Sequence, residues 1–396
     1  MKYFDYLTNE KSKSIFYKEP TSFNRDTSVE LLSYALGATL YMPATREKIV
    51  HKILSKKHKG LISIVICLED SIGDMEIEKA EQSLLDTLQE LYSLLEAGHL
   101  ASDNLPLIFA RVRSPKQMLD IAERAGLTLS VLTGFVFPKF SSKNGQAYFD
   151  ALYHINSMLN RTLYAMPILE TEEIIFEETR VESLTYIRKL LNDNKQLVLN
   201  VRIGATDFSS LFGIRRNYDI TIYDINVIKD CISSIINIFT RRGAEYVVSG
   251  PVWEYFSTGE RVLKPQIRVS PFKATYGSQG TQVRSKMLDK YLDGLIHEVL
   301  LDKANGLIGK TVIHPSHLIP VQALYVVNHE EFMDASNIIS NNNGELGVFK
   351  SHYANKMNEI KPHLSWAKKI MNRSSIYGVF NEHQTFTDLL PTEEYL

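Results

Sequence analysis

Between residues 38 and 315 the chain alternates short apolar runs with helix-like segments. The runs have the length and continuity of buried parallel strands, and the segments between them carry apolar residues at helical spacing. A doubly wound sheet also alternates, but it usually has fewer strands and often a glycine-rich phosphate turn, and neither GxGxxG after the first strand nor GxxxxGK[ST] occurs here. The pattern therefore predicts an α/β fold, a (β/α)8 TIM barrel with a C-terminal helical extension. The eight predicted strands are 38–43, 60–68, 105–112, 134–139, 166–171, 201–207, 245–251 and 309–315.

The barrel leaves segments at both ends and one long insertion. Residues 1–35 are expected to form an N-terminal lead-in and residues 36–328 the barrel domain. The insertion, at about 256–282, separates the seventh and eighth strands, and loops of this length are usually functional or mobile. Residues 329–396 are expected to form a helical lid or oligomerisation region that packs against the barrel or a neighbouring subunit.

The composition limits the expected partners and location. Lys and Arg number 44 against 46 Asp and Glu, giving a net charge of -2, so nothing favours a nucleic-acid partner. No apolar run has the length of a membrane span, and residues 1–6 do not begin a secretory signal, so no membrane association is expected. Cys67 and Cys231 are too few for a disulfide scaffold. A cytoplasmic location is expected.

Two carboxylates end successive predicted strands. Glu170 closes the fifth strand and Asp207 the sixth, and reactive groups in such barrels gather at the carboxyl ends of the strands. Taken singly, Glu170 suits an acidic helix start and Asp207 an N-cap. As a pair facing one pocket, with few basic residues beside them, they suit a hard divalent cation such as Mg²⁺, which prefers oxygen ligands.

Two basic residues occupy other strand ends. Arg111 closes an otherwise apolar strand, where an arginine is costly unless it meets an anion. Its planar fork suits a substrate carboxylate, and an internal salt bridge to Glu69 or Asp70 is the alternative. Lys139 suits either a Schiff-base amine or, because acidic residues are near, a charged and paired lysine.

The last two strands end in further candidates. His314 and His317 are three residues apart, but Pro315 prevents a regular helical turn from starting at His314. The spacing therefore favours a structural or substrate-contacting histidine over a metal pair. Pro251, at the end of the seventh strand, and His314 are assigned to substrate binding, as is Lys139.

Read in order, these motifs resemble the citrate lyase beta-subunit/HpcH-HpaI aldolase family. No single motif is specific to this family, but the order of the motifs along residues 36 to 372 is typical of it. The matching segments are LYMP (40–43), LEDSI (68–72), ARV (110–112), FPK (137–139), LET (169–171), IGATDF (203–208) and GKTVIHPS (309–316), with GV (347–348) and KMNEIKPH (356–363) in the tail.

The resemblance implies a Mg²⁺-dependent retro-aldol or retro-Claisen cleavage through an enolate, with Mn²⁺ as an alternative metal. The substrate would be a small oxo or hydroxy acid or its acyl-CoA adduct. Glu170 and Asp207 would hold the metal, which acts as Lewis acid and template. Arg111 would bind the substrate carboxylate and stabilise the enolate oxygen. Asp70 or Glu69 would transfer the proton or orient the group that does.

Several features depart from the family pattern. The family's acyl-CoA members use a lid acid from a neighbouring subunit, and Glu359 lies nearest that motif, although Asn358-Glu359 replaces the usual Val-Asp. Gly37-Ala38 replaces Arg-Ser before the first strand, which weakens the expectation that CoA is bound. These departures resemble a divergent lyase branch associated with tellurium-resistance gene clusters. A homo-trimer or hexamer is implied by the resemblance alone.

Two other functions stay open on the sequence. One is a malyl-CoA-type thioester hydrolase on the same scaffold. The other is a non-catalytic barrel that binds a metabolite.

Overall fold

A computed structural model describes residues 1–55, 57–243, 245–256 and 290–390. Its strands fall into one large sheet and two small ones. The strands are β1 (Phe16–Lys18), β2 (Ala38–Pro43), β3 (Ser63–Cys67), β4 (Leu107–Arg111), β5 (Gly134–Phe137), β6 (Tyr164–Leu169), β7 (Val201–Ile203), β8 (Val248–Ser249), β9 (Lys310–Val312), β10 (Val348–Lys350), β11 (Met357–Glu359) and β12 (Val379–Phe380).

The large sheet is a closed parallel barrel. Its eight strands follow the order β8-β7-β6-β5-β4-β3-β2-β9, and every neighbouring pair is parallel. A parallel bridge between Gly250 and Lys310 joins the two ends, with Gly250 N donating to Gly309 O at 2.9 Å. The predicted TIM barrel is therefore confirmed. Only the first strand has the predicted bounds, and the fifth begins and ends two residues earlier than predicted. The other six are shorter than predicted: 201–207 turns into a helix after Ile203, 245–251 is regular only over β8, and β3, β4, β5 and β9 lose residues at their ends.

Helices connect the strands and cover the outside of the barrel. The helix before the last barrel strand is described from Lys290, and most of the predicted insertion at 256–282 lies outside the described residues. The α-helices are α1 (Asn9–Ile15), α2 (Val29–Tyr34), α3 (Ile49–Leu54), α4 (Ile77–Glu96), α5 (Pro115–Ala125), α6 (Gly145–Leu159), α7 (Glu172–Ile175), α8 (Glu177–Asp193), α9 (Ala205–Ser210), α10 (Asn226–Thr240), α11 (Lys290–Ala304), α12 (Leu318–Tyr325), α13 (His329–Ser340) and α14 (Ile360–Tyr377).

The core lies inside the barrel and between its strands and helices. All residues of β3 and β4 are buried, because helices cover the outer face of the barrel and side chains fill its interior. Outside the barrel, α4 turns the stripe of Leu84, Leu88 and Leu91 inwards, as its helical spacing predicts. Among the described residues, no helix combines the length and apolar character needed to cross a membrane.

The two ends of the chain pack together on the amino-terminal side of the barrel. Strand β1 pairs antiparallel with β12, a contact that the sequence did not predict. Helix α14 reaches the segments that lead into β2 and β8, since Asn372 bonds Glu30 and Lys369 Nζ bonds Thr240 O. The C-terminal helical extension therefore lies at the end of the barrel opposite the carboxyl ends of the strands. It also carries the hairpin β10–β11, which the sequence did not predict.

Candidate active site

A cavity of ≈ 380 Å³ opens at the carboxyl ends of the barrel strands. Both predicted metal ligands, Glu170 and Asp207, line it together with Arg111 and Asp70. Glu170 directly follows β6, as predicted. Asp207 was predicted at a strand end, but it lies in the first turn of α9, because the backbone leaves the sheet at Gly204.

Glu170 is the most deeply buried acid in this cavity. Its side chain is 2% exposed, and its Oε1 accepts from Lys139 N at 2.8 Å and from Arg111 Nη2 at 3.3 Å. Burial raises the pKa of Glu170 to about 8; Arg111 acts to lower it and the carboxylate of Asp207 to raise it. A cation bound beside Glu170 would stabilise its ionised form and so lower this raised pKa.

Arg111 connects three of the acids. Its Nη2 lies 2.6 Å from Glu69 Oε2, 2.8 Å from Asp70 Oδ2 and 3.3 Å from Glu170 Oε1. The internal salt bridge considered from the sequence is therefore present. Burial acts to lower the pKa of Arg111, but Glu170 and Glu69 raise it above its usual value, so the guanidinium stays charged. Its buried Nε has no hydrogen-bond partner in the described part of the chain.

Lys139 connects Asp207, which Arg111 does not contact, to the same network of acids. Its Nζ lies 3.0 Å from Glu69 Oε1, 3.3 Å from Asp70 Oδ1 and 3.0 Å from Asp207 Oδ1. Burial acts to lower its pKa, but Glu170 and the contacts with Glu69 and Asp207 raise it above the usual value. A Schiff-base lysine needs a neutral amine, so the geometry favours the charged, paired lysine. Its backbone has φ 48°, in the left-handed region that costs free energy outside glycine and recurs at functional sites.

The contact network carries an excess of negative charge. Glu69, Asp70, Glu170 and Asp207 give four negative charges against two positive charges on Arg111 and Lys139, so -4 + 2 = -2 when all are ionised. One divalent cation balances this charge, and carboxylate oxygens are the ligands that hard cations prefer. No group of three or more His, Cys, Asp or Glu among the described residues forms a complete metal cage. The residues therefore fit a cation held by one or two carboxylates, with water and substrate oxygens completing its shell.

Arg202 also lines the cavity, and the sequence analysis missed it. It lies within β7 and is 1% exposed. Its Nη2 donates to Thr311 Oγ1 at 2.9 Å, and its guanidinium lies 5.4 Å from the centre of the Tyr41 ring. The sequence signal for Arg202 is a charged residue in the middle of an apolar strand, whereas the residues predicted for the site lie at strand ends.

A family model places the chain among known proteins. Residues 30–379 match the family described as C–C bond lyase of the TIM-barrel fold. The protein belongs to this family. No curated protein matches the chain in sequence.

Solved structures share the fold of this C–C bond lyase family member. The protein CitE from Mycobacterium tuberculosis, in complex with magnesium, acetoacetate and coenzyme A, is 17% identical, with a TM-score of 0.50 over 86% of this chain and 99% of that chain. A citrate lyase from Burkholderia xenovorans is 13% identical, with a TM-score of 0.59 over 90% of this chain and 96% of that chain.

Three predicted site residues of this C–C bond lyase family member do not join the network. Neither Pro251 nor His314 lines the cavity, although Val252 and Ile313 beside them do. The His314 ring instead stacks on Phe256 at 4.6 Å, and its Nδ1 lies 2.7 Å from Ser316 Oγ. Glu359 ends β11 in the C-terminal extension, where its N–H donates to His363 Nδ1 at 3.1 Å, so it lies far from the cavity of its own chain.

Proposed function

We propose that the protein is a Mg²⁺-dependent lyase that cleaves a carbon–carbon bond in a small oxo or hydroxy acid, or in its acyl-CoA adduct, by a retro-aldol or retro-Claisen reaction. One observation carries the proposal: four carboxyl groups surround Arg111 and Lys139 at the carboxyl ends of the strands, with a formal net charge of -2 when all are ionised. The family match supports carbon–carbon bond cleavage. The magnesium and coenzyme A in the similarly folded CitE structure support the metal and an acyl-CoA ligand.

Glu170 and Asp207 are the proposed metal ligands. Both line the cavity, and Glu170 is buried and held in place by Lys139 N and Arg111. When bound, Mg²⁺, or Mn²⁺ as the alternative, supplies Lewis-acid chemistry at the substrate oxygens. Oxygen ligands without sulfur or imidazole suit either ion.

Arg111 is the proposed group that orients the substrate. It remains charged, and three carboxylates hold its Nη2 in place while its Nε stays without a partner in the described residues. A fixed guanidinium of this kind binds a carboxylate and stabilises negative charge that develops as the carbon–carbon bond breaks.

Asp70 and Glu69 are the proposed proton-handling pair. Burial raises the pKa of Glu69, whereas for Asp70 the contact with Glu69 and the charges of Arg111 and Lys139 outweigh burial and lower the pKa. Two adjacent acids with pKa values moved apart suit one base and one acid. In a retro-aldol reaction Asp70 takes the proton of the substrate hydroxyl, the bonding electrons pass into the enolate, and Glu69 supplies the proton that the enolate carbon needs.

The oligomeric state, a role for Glu359 in a neighbouring subunit and the relation to tellurium-resistance gene clusters remain predictions from the sequence. Substrate contacts from Lys139, Pro251 and His314 stay predictions as well.

The test is a screen of 2-hydroxy acids and acyl-CoA adducts for release of pyruvate, glyoxylate, oxaloacetate or acetyl-CoA. We expect a release that requires Mg²⁺ and falls about 100-fold or more in Glu170→Gln, since one ligand is lost. The matched control is Glu172→Gln, because Glu172 is exposed two residues further on. Equal rates for wild type and Glu170→Gln would reject the metal assignment. Release of a free acid from an acyl-CoA without carbon–carbon cleavage would indicate a thioester hydrolase instead.

A further inference from the structure

Arg202 is a buried cation without an acidic partner in the described part of the chain. Its side chain crosses the barrel interior and contacts residues of three other strands, Thr39 in β2, Met166 in β6 and Thr311 in β9. The donor–acceptor distances are 3.4, 3.7 and 2.9 Å, and all three partners are neutral. The Nε of Arg202 is buried and has no hydrogen-bond partner among the described residues.

The other buried arginines of the described chain differ from Arg202 in this respect. Each of them forms an ion pair with at least one carboxylate. The pairs are Arg111 with Glu69, Asp70 and Glu170, Arg180 with Asp230, Arg216 with Glu254 and Glu298, and Arg373 with Glu331. Burying a charge is costly unless it is paired, and a guanidinium remains protonated in proteins. No acidic residue in the described part of the chain offsets the free-energy cost of burying the charge of Arg202.

The position of Arg202 suggests that a ligand of the cavity offsets the cost of burying its charge. The side chain lines the same cavity as Glu170 and Asp207, so a ligand of that cavity can reach it. Arg111 already has three carboxylate neighbours, whereas Arg202 has none in the described residues. The guanidinium borders the cavity while its Nη atoms donate only to neutral partners, so a carboxylate that enters the cavity would be the first anion of the described structure to meet it. Guanidinium groups bind carboxylates through strong, charge-assisted hydrogen bonds.

We propose that Arg202 binds a second carboxylate of the substrate, so that the cavity selects 2-oxo or 2-hydroxy dicarboxylic acids over monocarboxylic acids of the same length. The proposal rests on the proposed function, in which the first carboxylate lies at the metal and Arg111. A cavity of ≈ 380 Å³ suits a short diacid that extends from Glu170 and Asp207 to Arg202. Tyr41 and Thr311, which contact the guanidinium, would then act as positioning residues.

The test compares acids that differ only in the second carboxylate. Isothermal titration calorimetry with saturating Mg²⁺ measures 2-oxoglutarate against 2-oxopentanoate and L-malate against (S)-2-hydroxybutanoate. We expect wild type to bind at least one diacid about 10-fold or more tightly than its partner, since hydrogen bonds between charged groups are the strong ones. Arg202→Met should abolish this preference and leave the affinity for the monoacid within about 3-fold. Arg202→Lys should retain part of the preference, because a cation remains.

The outcomes separate this inference from the function on which it rests. Metal-dependent binding of the monoacids without any preference for the diacids overturns the role of Arg202 and leaves the proposed function standing. An equal loss of diacid and monoacid affinity in a folded Arg202→Met protein points to a purely structural arginine and also overturns it. If no acid of either pair binds with Mg²⁺, this inference fails, whereas the proposed function is decided separately by the Mg²⁺-dependent screen for product release. The comparison in wild type decides the matter even if Arg202→Met does not fold.

Discussion

Gly204 leaves the space that Glu170 occupies. A Cβ placed on Gly204 would lie 2.1 Å from Glu170 Oε2 and 2.5 Å from Glu170 Cβ, and non-bonded contacts this short essentially never occur for a Cβ atom. The glycine therefore permits the buried carboxylate to stand where β7 meets α9, next to the first turn that carries Asp207.

Gly204→Ala should disable the proposed metal site without unfolding the protein. The methyl group must displace Glu170 or the backbone of Gly204, and we expect metal affinity to fall about 10- to 100-fold. Electron paramagnetic resonance with Mn²⁺ as the probe measures the bound fraction directly. Gly73→Ala is the matched control, because a Cβ there meets nothing within 4 Å. Unchanged Mn²⁺ affinity in Gly204→Ala would contradict this expectation, and Glu170→Gln in the same titration would then show whether Glu170 is a ligand.

Lys139→Met should bind the metal more tightly and catalyse more slowly. The ammonium contacts Glu69, Asp70 and Asp207, so it competes with a metal ion for the same carboxylates. Its removal changes the formal charge of the network from -2 to -3, which favours a divalent cation. Turnover should fall because Glu69 and Asp70 lose the contact that fixes their positions.

The measurement for Lys139→Met pairs a Mn²⁺ titration with the rate of product release. Lys143→Met is the control, since Lys143 is exposed and lies four residues further along the chain. A weaker metal affinity in Lys139→Met would show that the lysine supports the metal site and does not compete with it.

The sequence predicted those features of the site that follow from strand order. Parallel strands buried on both faces read as continuous apolar runs, so the residues at their carboxyl ends, including Glu170 and Arg111, could be placed around one cavity. The sequence offered the salt bridge of Arg111 and a paired Lys139 only as alternatives, because which contacts form depends on side-chain and backbone geometry. Lys139, which contacts three acids, has a left-handed backbone at φ 48°, which no residue pattern indicates.

Other parts of the fold were missed for different physical reasons. Arg202 lies inside a strand, where a charged residue reads as an irregularity in an apolar run. The pairing of β1 with β12 joins strands of only three and two residues from opposite ends of the chain, and strands this short carry no periodicity. Glu359 lies in the extension at the other end of the barrel, so its predicted role in the site of a neighbouring subunit stays a prediction.

Lys310→Met should destabilise the fold strongly. The Lys310 ammonium lies 2.9 Å from Glu298 Oε1 and 2.7 Å from Asp302 Oδ2, and all three side chains are fully buried. Removing the cation leaves two buried acids with less compensation, which typically costs about 3–5 kcal/mol. Urea denaturation measures the free energy of unfolding. Lys2→Met, which removes a partly exposed pair with Glu19, should cost about 1 kcal/mol or less. Similar losses in the two variants would contradict a stabilising role for the buried cluster.

The buried imidazole of His317 should make stability depend on pH between about 4 and about 6.5. Its Nε2 lies 3.1 Å from Tyr255 O, so the neutral ring donates there, and burial, with a smaller contribution from His314, lowers the pKa of His317 to about 4. The unfolded state, with the ordinary pKa of about 6.5, therefore binds the proton first. The stability that the neutral ring contributes is complete above the unfolded pKa and is lost as the pH falls towards the folded pKa.

His317→Gln isolates this effect, because glutamine keeps a donor for Tyr255 O but does not titrate. The free energy of unfolding, measured by urea denaturation, should favour wild type most at pH 7.5, and the difference from His317→Gln should shrink steadily towards pH 4.5. All other titrating groups are common to both proteins, so they cancel in this difference unless the substitution moves them. A difference that grows on acidification would mean that His317 is stabilised in its protonated form, against the burial that the structure shows.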